Sequence, residues 1–370
     1  MKLIVRAGTR ARHHCPITLN CPAGSVPSGL TSSGRVIPVQ RDGDRAALIL
    51  PAMEAGTEQT WTPEGVVTVG GVMLEDDGKT ITVHLDNRPF TAYHYANVPA
   101  RPYFWPLLAP GDIEVTRGWP MRERPRDDET RDHKHHRSMW VAFGEVNGAD
   151  NWSEEPGHGY TVHRSLDEMV SGPVFGRFRT TSDWTDASGR KLLTQSLTAT
   201  FWAASGDAPR FVDIVVALKA TEGDVHFGDT KEGGLISIRV ATPMDVPRGG
   251  KIENAFGGIN EPENWGHAAH WCDYSGIVDG AHVGIAVMDH PHSFRYPTYW
   301  HVRDYGLMAA NPFALKAYTG GLKDGSYTLS QGDEMRFIYR VAIHRGDASQ
   351  AGIRDRYLDF IVPPVATWAE

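Results

Sequence analysis

Four stretches of this 370-residue chain gather side chains that can move protons, hold anions or bind metal. The densest is Asp132-His133-Lys134-His135-His136-Arg137. In an extended backbone His133, His135 and Arg137 would face one way, Lys134 and His136 the other. Two histidines at i and i+2 on a strand can share a metal ion. The same residues could instead supply a proton-transfer imidazole beside an arginine that holds an anion. The plainer alternative is an exposed basic loop.

The second stretch, Phe227-Gly228-Asp229-Thr230-Lys231-Glu232-Gly233-Gly234, crowds Asp229, Lys231 and Glu232 among glycines that allow a backbone to approach a ligand closely. A carboxylate beside a cation stays ionised, whereas one pressed into a pocket becomes an acid. An ordinary surface turn has the same composition. In the third, Trp265 to Tyr274, aromatic residues interleave with His267 and His270. That suits a sugar-stacking wall with a proton donor, and equally a core strand with satisfied histidines. The fourth begins with Asp289-His290-Pro291-His292, passes through Trp300-His301-Val302-Arg303-Asp304-Tyr305 and reaches Asn311. If extended, its His301, Arg303 and Tyr305 share a face and present an acid/base, a cation and a phenol together.

The elements that must carry these groups are strands. Ile81 to Leu85, Leu193 to Trp202, Phe211 to Leu218 and Met335 to Ile343 alternate apolar and polar residues with period two. Turn signals separate them: Asp76-Asp77-Gly78, Asp186-Ala187-Ser188-Gly189 and Lys323-Asp324-Gly325. The polar run from Arg122 to His136 feeds the apolar stretch Ser138 to Phe143, a pattern in which a loop delivers functional groups from a rigid scaffold. One amphipathic helix is expected near the C-terminus, capped by Asp347 or Ser349. It sets Ile353, Tyr357, Phe360 and Ile361 on one face and stops at Pro363-Pro364. The pattern predicts an all-β, mostly antiparallel fold, a large β-sandwich with a C-terminal helix. A small strand-rich N-terminal lobe over 1–70 is expected to precede the main sandwich over 71–370.

Composition narrows the partners. Hydrophobic residues at 41% and charged residues at 22% are those of a packed globular chain. A net charge of −8 gives no basic face for nucleic acid and argues against anionic membranes. No apolar run reaches the ~18 residues of a bilayer-spanning helix, and a cytoplasmic location is expected. Three cysteines, Cys15, Cys21 and Cys272, make no disulfide framework and are read as free thiols. With no Gly-x-Gly-x-x-Gly turn, P-loop or Gly-x-Ser-x-Gly elbow, no nucleotide cofactor is expected.

In Arg101-Pro102-Tyr103-Phe104-Trp105-Pro106-Leu107, Asp132 to Trp140, Gly228 to Ala241 and Asp289 to Phe313, the chain resembles the bacterial family labelled PmoA, or methane oxygenase PmoA. The resemblance runs from about residue 80 to the C-terminal strands. It implies a sandwich similar to the galactose mutarotase type, and the company of sugar dehydrogenases, isomerase-like barrels and glycoside-degrading enzymes. The label does not imply its chemistry, because particulate methane monooxygenase subunits are membrane-embedded and no spanning segment is present here. It carries no residue-level mechanism.

The expected activity is therefore that of a carbohydrate-active enzyme, a glycoside hydrolase or lyase. It would cleave a glycoside, with a 3-keto-glycoside as the sharper form, by hydrolysis or elimination. His133, His135, His136 and His301 are the acid/base or ligand candidates. Arg137, Lys231 and Arg303 would hold a developing oxyanion. Asp229 and Glu232 are the carboxylates, while Tyr103, Trp140, His267, His270, Trp300, Asp304, Tyr305 and Asn311 would line the sugar. A divalent metal is left open, as is a homo-oligomer. The alternatives are a sugar mutarotase or epimerase, a metal-dependent oxygenase built on a facial triad, and a non-catalytic carbohydrate-binding sandwich.

Overall fold

A computed structural model describes residues 1–21, 25–65 and 70–369 of the chain. Alternating residues form the hairpin Thr80–Leu85 and Arg88–His94. Its turn places Asp86 and Asn87 at φ of 52° and 61°, the left-handed pair that matches strand twist. Eight strands pair side by side in one sheet: Trp300–Arg303, Leu307–Ala310, Gly233–Arg239, Met139–Phe143, Tyr103–Ala109, Arg88–His94, Thr80–Leu85 and Val72–Asp76. A second sheet runs Tyr160–Val170, Phe175–Thr185, Lys191–Trp202, Arg210–Lys219, Glu334–Arg345, Ala281–Asp289, Trp271–Val278 and Lys251–Asn254. Phe104, Met139, Ile238 and Trp300 of the first meet Phe178, Phe201, Ile214 and Phe337 of the second in one buried core. The fold is all-β and mostly antiparallel, a sandwich of two large sheets.

Two smaller sheets enclose a separate core around Leu3, Leu30, Leu48 and Trp61. One of them contains Lys2–Arg6, Glu58–Glu64, Gly29–Ser32 and Arg35–Pro38, and its edge is closed by the last strand, Val365–Ala369. The end of the chain thus returns to the N-terminal sheets rather than finishing in the main sandwich. The expected division near residue 70 adjoins residues 66–69, which lie outside the described residues. Gln40 joins the two parts by accepting from the Val174 and Phe175 amides and donating to the Phe175 carbonyl. Arg177 grips Asp42 with two bonds of 2.7 Å.

The helix near the C-terminus spans Ile353–Ile361 and buries Ile353 and Tyr357. Its cap differs from expectation. Asp347 accepts the Gln350 amide at 2.9 Å and closes the turn before the helix, and Gly352, at φ 65°, occupies the start. Asp359 on this helix pairs with Arg12, both almost fully buried, and Arg12 also donates to the Ala7 and Val362 carbonyls. Cys15, Cys21 and Cys272 are free. No helix among the described residues is long and apolar enough to cross a membrane. Removing one member of a buried ion pair leaves the other charge uncompensated. Arg12→Ala is therefore expected to lower unfolding stability by about 3–5 kcal/mol in urea titration, whereas Arg190→Ala, on the exposed Asp186 pair, should leave it close to the wild-type value.

Candidate active site

Cross-strand register sets Tyr103 opposite Trp140, Trp140 opposite Ser237, Ser237 opposite Ala309, and Ala309 opposite His301. Paired residues of neighbouring antiparallel strands share a face, so these five form one row on the side of the sheet away from the core. Arg239, Leu307 and Arg303 form the next row. The sequence separates His301 from Trp140 by 161 positions, and the sheet brings them onto one surface.

Over these rows folds the segment 131–137. It is not extended, as the i, i+2 pattern had suggested. The His136 amide donates to the His133 carbonyl at 2.9 Å and the Arg137 amide to that of His135 at 3.1 Å, with His133 at φ 48°. This tight turn undoes the expected alternation. His133 and His136 now stack at 4.8 Å and 5°. The stack continues to Trp140 on one side (5.3 Å, 22°) and to Tyr305 on the other (5.1 Å, 9°). His135 lies edge-on to His136 and Trp152. Trp140 and His136 are buried, while the His133 side chain is 41% exposed.

Asp132 holds the turn. Its Oδ1 accepts from Arg117 at 2.6 Å and Arg239 at 2.8 Å, and its Oδ2 from His133 Nδ1 at 3.0 Å. Burial favours the neutral carboxyl, but the His133 hydrogen bond and the Arg239 and Arg117 charges outweigh it and hold Asp132 well below the usual carboxylate range. An ionised carboxylate only accepts, so the bonded His133 Nδ1 carries a proton, and in the neutral ring the lone pair lies on Nε2. Arg239 Nη1 lies 3.2 Å from His136 Nδ1. A guanidinium only donates, so His136 Nδ1 accepts and the proton sits on Nε2. Burial, reinforced by neighbouring positive charges, keeps His136 well below its ordinary pKa and takes His135 down to about 4. Burial likewise lowers His301 to about 4, with Glu232 pulling the other way.

Around the stack the charges are paired. Arg137 makes a two-point bond to Glu154 at 2.7 and 2.8 Å, with its guanidinium 5.9 Å from the Tyr103 ring. Lys231 pairs with Glu232, whose carboxylate acts electrostatically on His301 and His135. Burial opposes the ionisation of Glu232 and of Glu154, but the Lys231 and Arg137 hydrogen bonds hold both below their ordinary values. Arg239 and Arg303 lie 4.8 and 5.9 Å from the Tyr305 ring, and burial raises the Tyr305 phenol so that it keeps its proton. Asp245, pushed up to about 7 chiefly by burial, lies beneath Gly306, where a side chain would strike its carboxylate.

His133, His135, His136, Arg137, Tyr103, Trp140, Lys231, Glu232, His301, Arg303 and Tyr305 thus converge. Tyr305 stands in the turn after the strand rather than on it. Other candidates lie elsewhere. Trp300 is fully buried in the core, its indole N–H bonded to the Ala269 carbonyl at 3.0 Å, and lines no open surface. His267 is exposed, and His270 joins Tyr296 at 2.6 Å beside the C-terminal helix. Asp229 accepts the Lys316 and Gly325 amides, and Asn311 donates to the Thr230 and Lys231 carbonyls, so both brace loops. Asp304 exchanges backbone and side-chain bonds with Glu261. Asp132 stood in the sequence motif without a role, and Arg117, Arg239 and Glu154 were not singled out. Arg239 was detectable as the charged residue on the alternate face of an apolar strand; Arg117 and Glu154 sit in loops with no periodic signal.

No group of three or more His, Cys, Asp or Glu among the described residues is arranged to hold a metal. The donor set agrees: His136 Nδ1 is taken by Arg239, His133 Nδ1 by Asp132, and guanidinium groups flank both.

The model of a family of unknown function, DUF6807, matches residues 80–357. The chain belongs to that family. The resemblance to a PmoA family is thereby corrected, and the oxygenase reading loses the label it rested on. No curated protein matches the chain. Among solved structures, the galactosidase domain of the α-galactosidase-sucrose kinase AgaSK is 8% identical, with 74% of this chain and 42% of that one covered at a TM-score of 0.35. A galactose mutarotase-like protein from Lactobacillus casei ATCC 334 is 9% identical, with 74% of this chain and 100% of that one covered at a TM-score of 0.34. The GH36 α-galactosidase AgaA from Geobacillus stearothermophilus is 13% identical, with 75% and 41% covered at a TM-score of 0.34. No substrate or activity passes from these remote likenesses to this family member.

The buried neutral imidazoles set a pH dependence for stability. Between pH 4 and 6.5 the unfolded chain binds protons on His135 and His301 that the folded chain refuses. These two histidines therefore add stability as pH rises through that window, against the opposite contribution of Asp245, whose raised carboxyl keeps a proton only in the folded chain. Between pH 7 and pH 4.5, His135→Gln should therefore lose less Tm than the wild type in thermal unfolding. Equal slopes in the two proteins would contradict the assignment.

Proposed function

We propose that the stack and its flanking cations form a sugar-binding acid/base site that cleaves glycosides bearing a ketone, by elimination. The observation that carries this reading is the Asp132–His133 pair beside Tyr305 and Arg303: an imidazole with its outward lone pair free, next to a protonated phenol and a guanidinium. An ordinary glycoside hydrolase needs a protonated carboxylic acid at the scissile bond. The carboxylates beside the stack, Asp132, Glu154 and Glu232, are held below their ordinary values, and the raised Asp245 is buried beneath Gly306. Proton transfer thus falls to imidazole and phenol.

In a 3-keto-glycoside the ketone acidifies the neighbouring C2–H. His133 Nε2 takes that proton, and the electron pair moves onto the ketone oxygen as an enolate. The Tyr305 hydroxyl and Arg303 donate to the oxyanion, in the manner of preorganised donors aimed at developing charge. The enolate then collapses, a C1–C2 double bond forms and the glycosidic C1–O bond breaks. The leaving oxygen receives the proton back from the His133 imidazolium. The products are an unsaturated keto sugar and an alcohol. Asp132 acts as an orienter that fixes the His133 tautomer and steadies its cation.

Incubation with a panel of 3-keto-glycosides should give alcohol release and ultraviolet absorbance from the conjugated product. His133→Ala should lower kcat by about 10²–10⁴-fold, the range of a general base. Arg303→Met should lower kcat by a similar order. Unchanged kcat in His133→Ala, or cleavage of unoxidised glycosides at equal rate, would overturn the reading.

A further inference from the structure

Beside Arg303 lies an open groove of about 440 Å³ lined by Glu261, Pro262, Trp265, Arg303 and Asp304, a size within the roughly 300–1,000 Å³ of small-ligand sites. We infer that this groove is a second sugar subsite, taking a neutral pyranose ring on the leaving side of the bond. The inference rests on the glycoside reading above.

Its polar atoms decide the occupant. The groove's carboxylates are already engaged. Glu261 accepts from Arg303 Nη1 at 2.5 Å and from the Asp304 amide at 2.9 Å, and Asp304 accepts the Glu261 amide at 2.9 Å. Of the side chains that line the groove, Arg303 Nε and Trp265 Nε1 are buried without a protein partner. Both can only donate. An occupant must therefore bring acceptor oxygens and an apolar face for Trp265 and Pro262. A pyranose ring has both, since its axial C–H face suits an indole.

The platform is built rather than incidental. Tyr318 meets Trp265 edge-on at 5.1 Å and 87°, and stacks on Tyr299 at 5.8 Å. Gly266, at φ +72°, lets Tyr318 approach, because a Cβ there would lie 2.9 Å from its ring. Asp229 fixes the Tyr318 segment through the Lys316 and Gly325 amides. Arg303 joins groove to stack, 5.9 Å from the Tyr305 ring. A disaccharide lying over Arg303 would place one ring at His133 and the next on Trp265.

Calorimetric titration with laminaribiose, cellobiose, maltose and lactose, each against glucose or galactose, tests this on wild type, Trp265→Ala and Trp265→Phe. At least one disaccharide should bind ten-fold or more tighter than its monosaccharide. Trp265→Ala should abolish that margin while leaving monosaccharide affinity within two-fold, and Trp265→Phe, which keeps an aromatic ring, should retain part of it. Circular dichroism confirms that each variant is folded. Equal affinity for mono- and disaccharides, binding of neither, or equal loss of both in Trp265→Ala overturns the subsite. If 3-keto-glycosides go uncleaved while the Trp265-dependent margin persists, the subsite stands and the elimination reading falls.

Discussion

The Asp132 carboxylate takes hydrogen bonds from Arg117, Arg239 and His133, and the placement of the other groups at the site follows from that shared anion. Arg117 and Arg239 have fully buried side chains, and two guanidinium groups side by side in a low-dielectric interior repel. Burial and that repulsion lower Arg117 to about 10. The carboxylate between them relieves the repulsion and ties three segments together: the 131–137 turn, the strand Gly233–Arg239 and the loop at Arg117. Without it the turn would lose its anchor and His133 its orientation.

From that anchor the order of the site is a matter of packing. The turn lays His136 on Trp140, His133 on His136 and Tyr305 on His133; Trp140 and His136 are buried, His133 is exposed and Tyr305 is half-buried. The inner imidazoles are neutral because charge there has no water to solvate it. In the neutral form of the outer one the lone pair falls on Nε2, because Nδ1 donates to the Asp132 carboxylate. A gradient from buried to exposed is built from three neighbouring histidines that composition alone could not rank.

How much of this was legible in the sequence depends on the distance over which each feature is determined. Strands such as Arg210–Lys219 and Glu334–Arg345 were readable because alternation is local and one face must be buried. The concentration of site groups in 132–137 and 301–305 was readable for a similar reason, since such density exceeds what a strand needs. The turn at His133 was not, because its partners Arg117 and Arg239 stand 15 and 107 residues from Asp132. Asp229, Asn311 and Trp300 looked functional by type, yet their contacts show loop bracing and core packing. The return of Val365–Ala369 to the first strand was also hidden, because strand pairing across the whole chain leaves no periodic trace.

The central claim is that Asp132 and Arg239 set opposite tautomers on two stacked histidines. Long-range ¹H–¹⁵N correlation spectra of the imidazoles at neutral pH test it directly. The structure predicts neutral His133 protonated on Nδ1 and neutral His136 protonated on Nε2, with His136 staying neutral well below its ordinary pKa. A His133 protonated on Nε2, or two histidines of the same tautomer, would contradict the account.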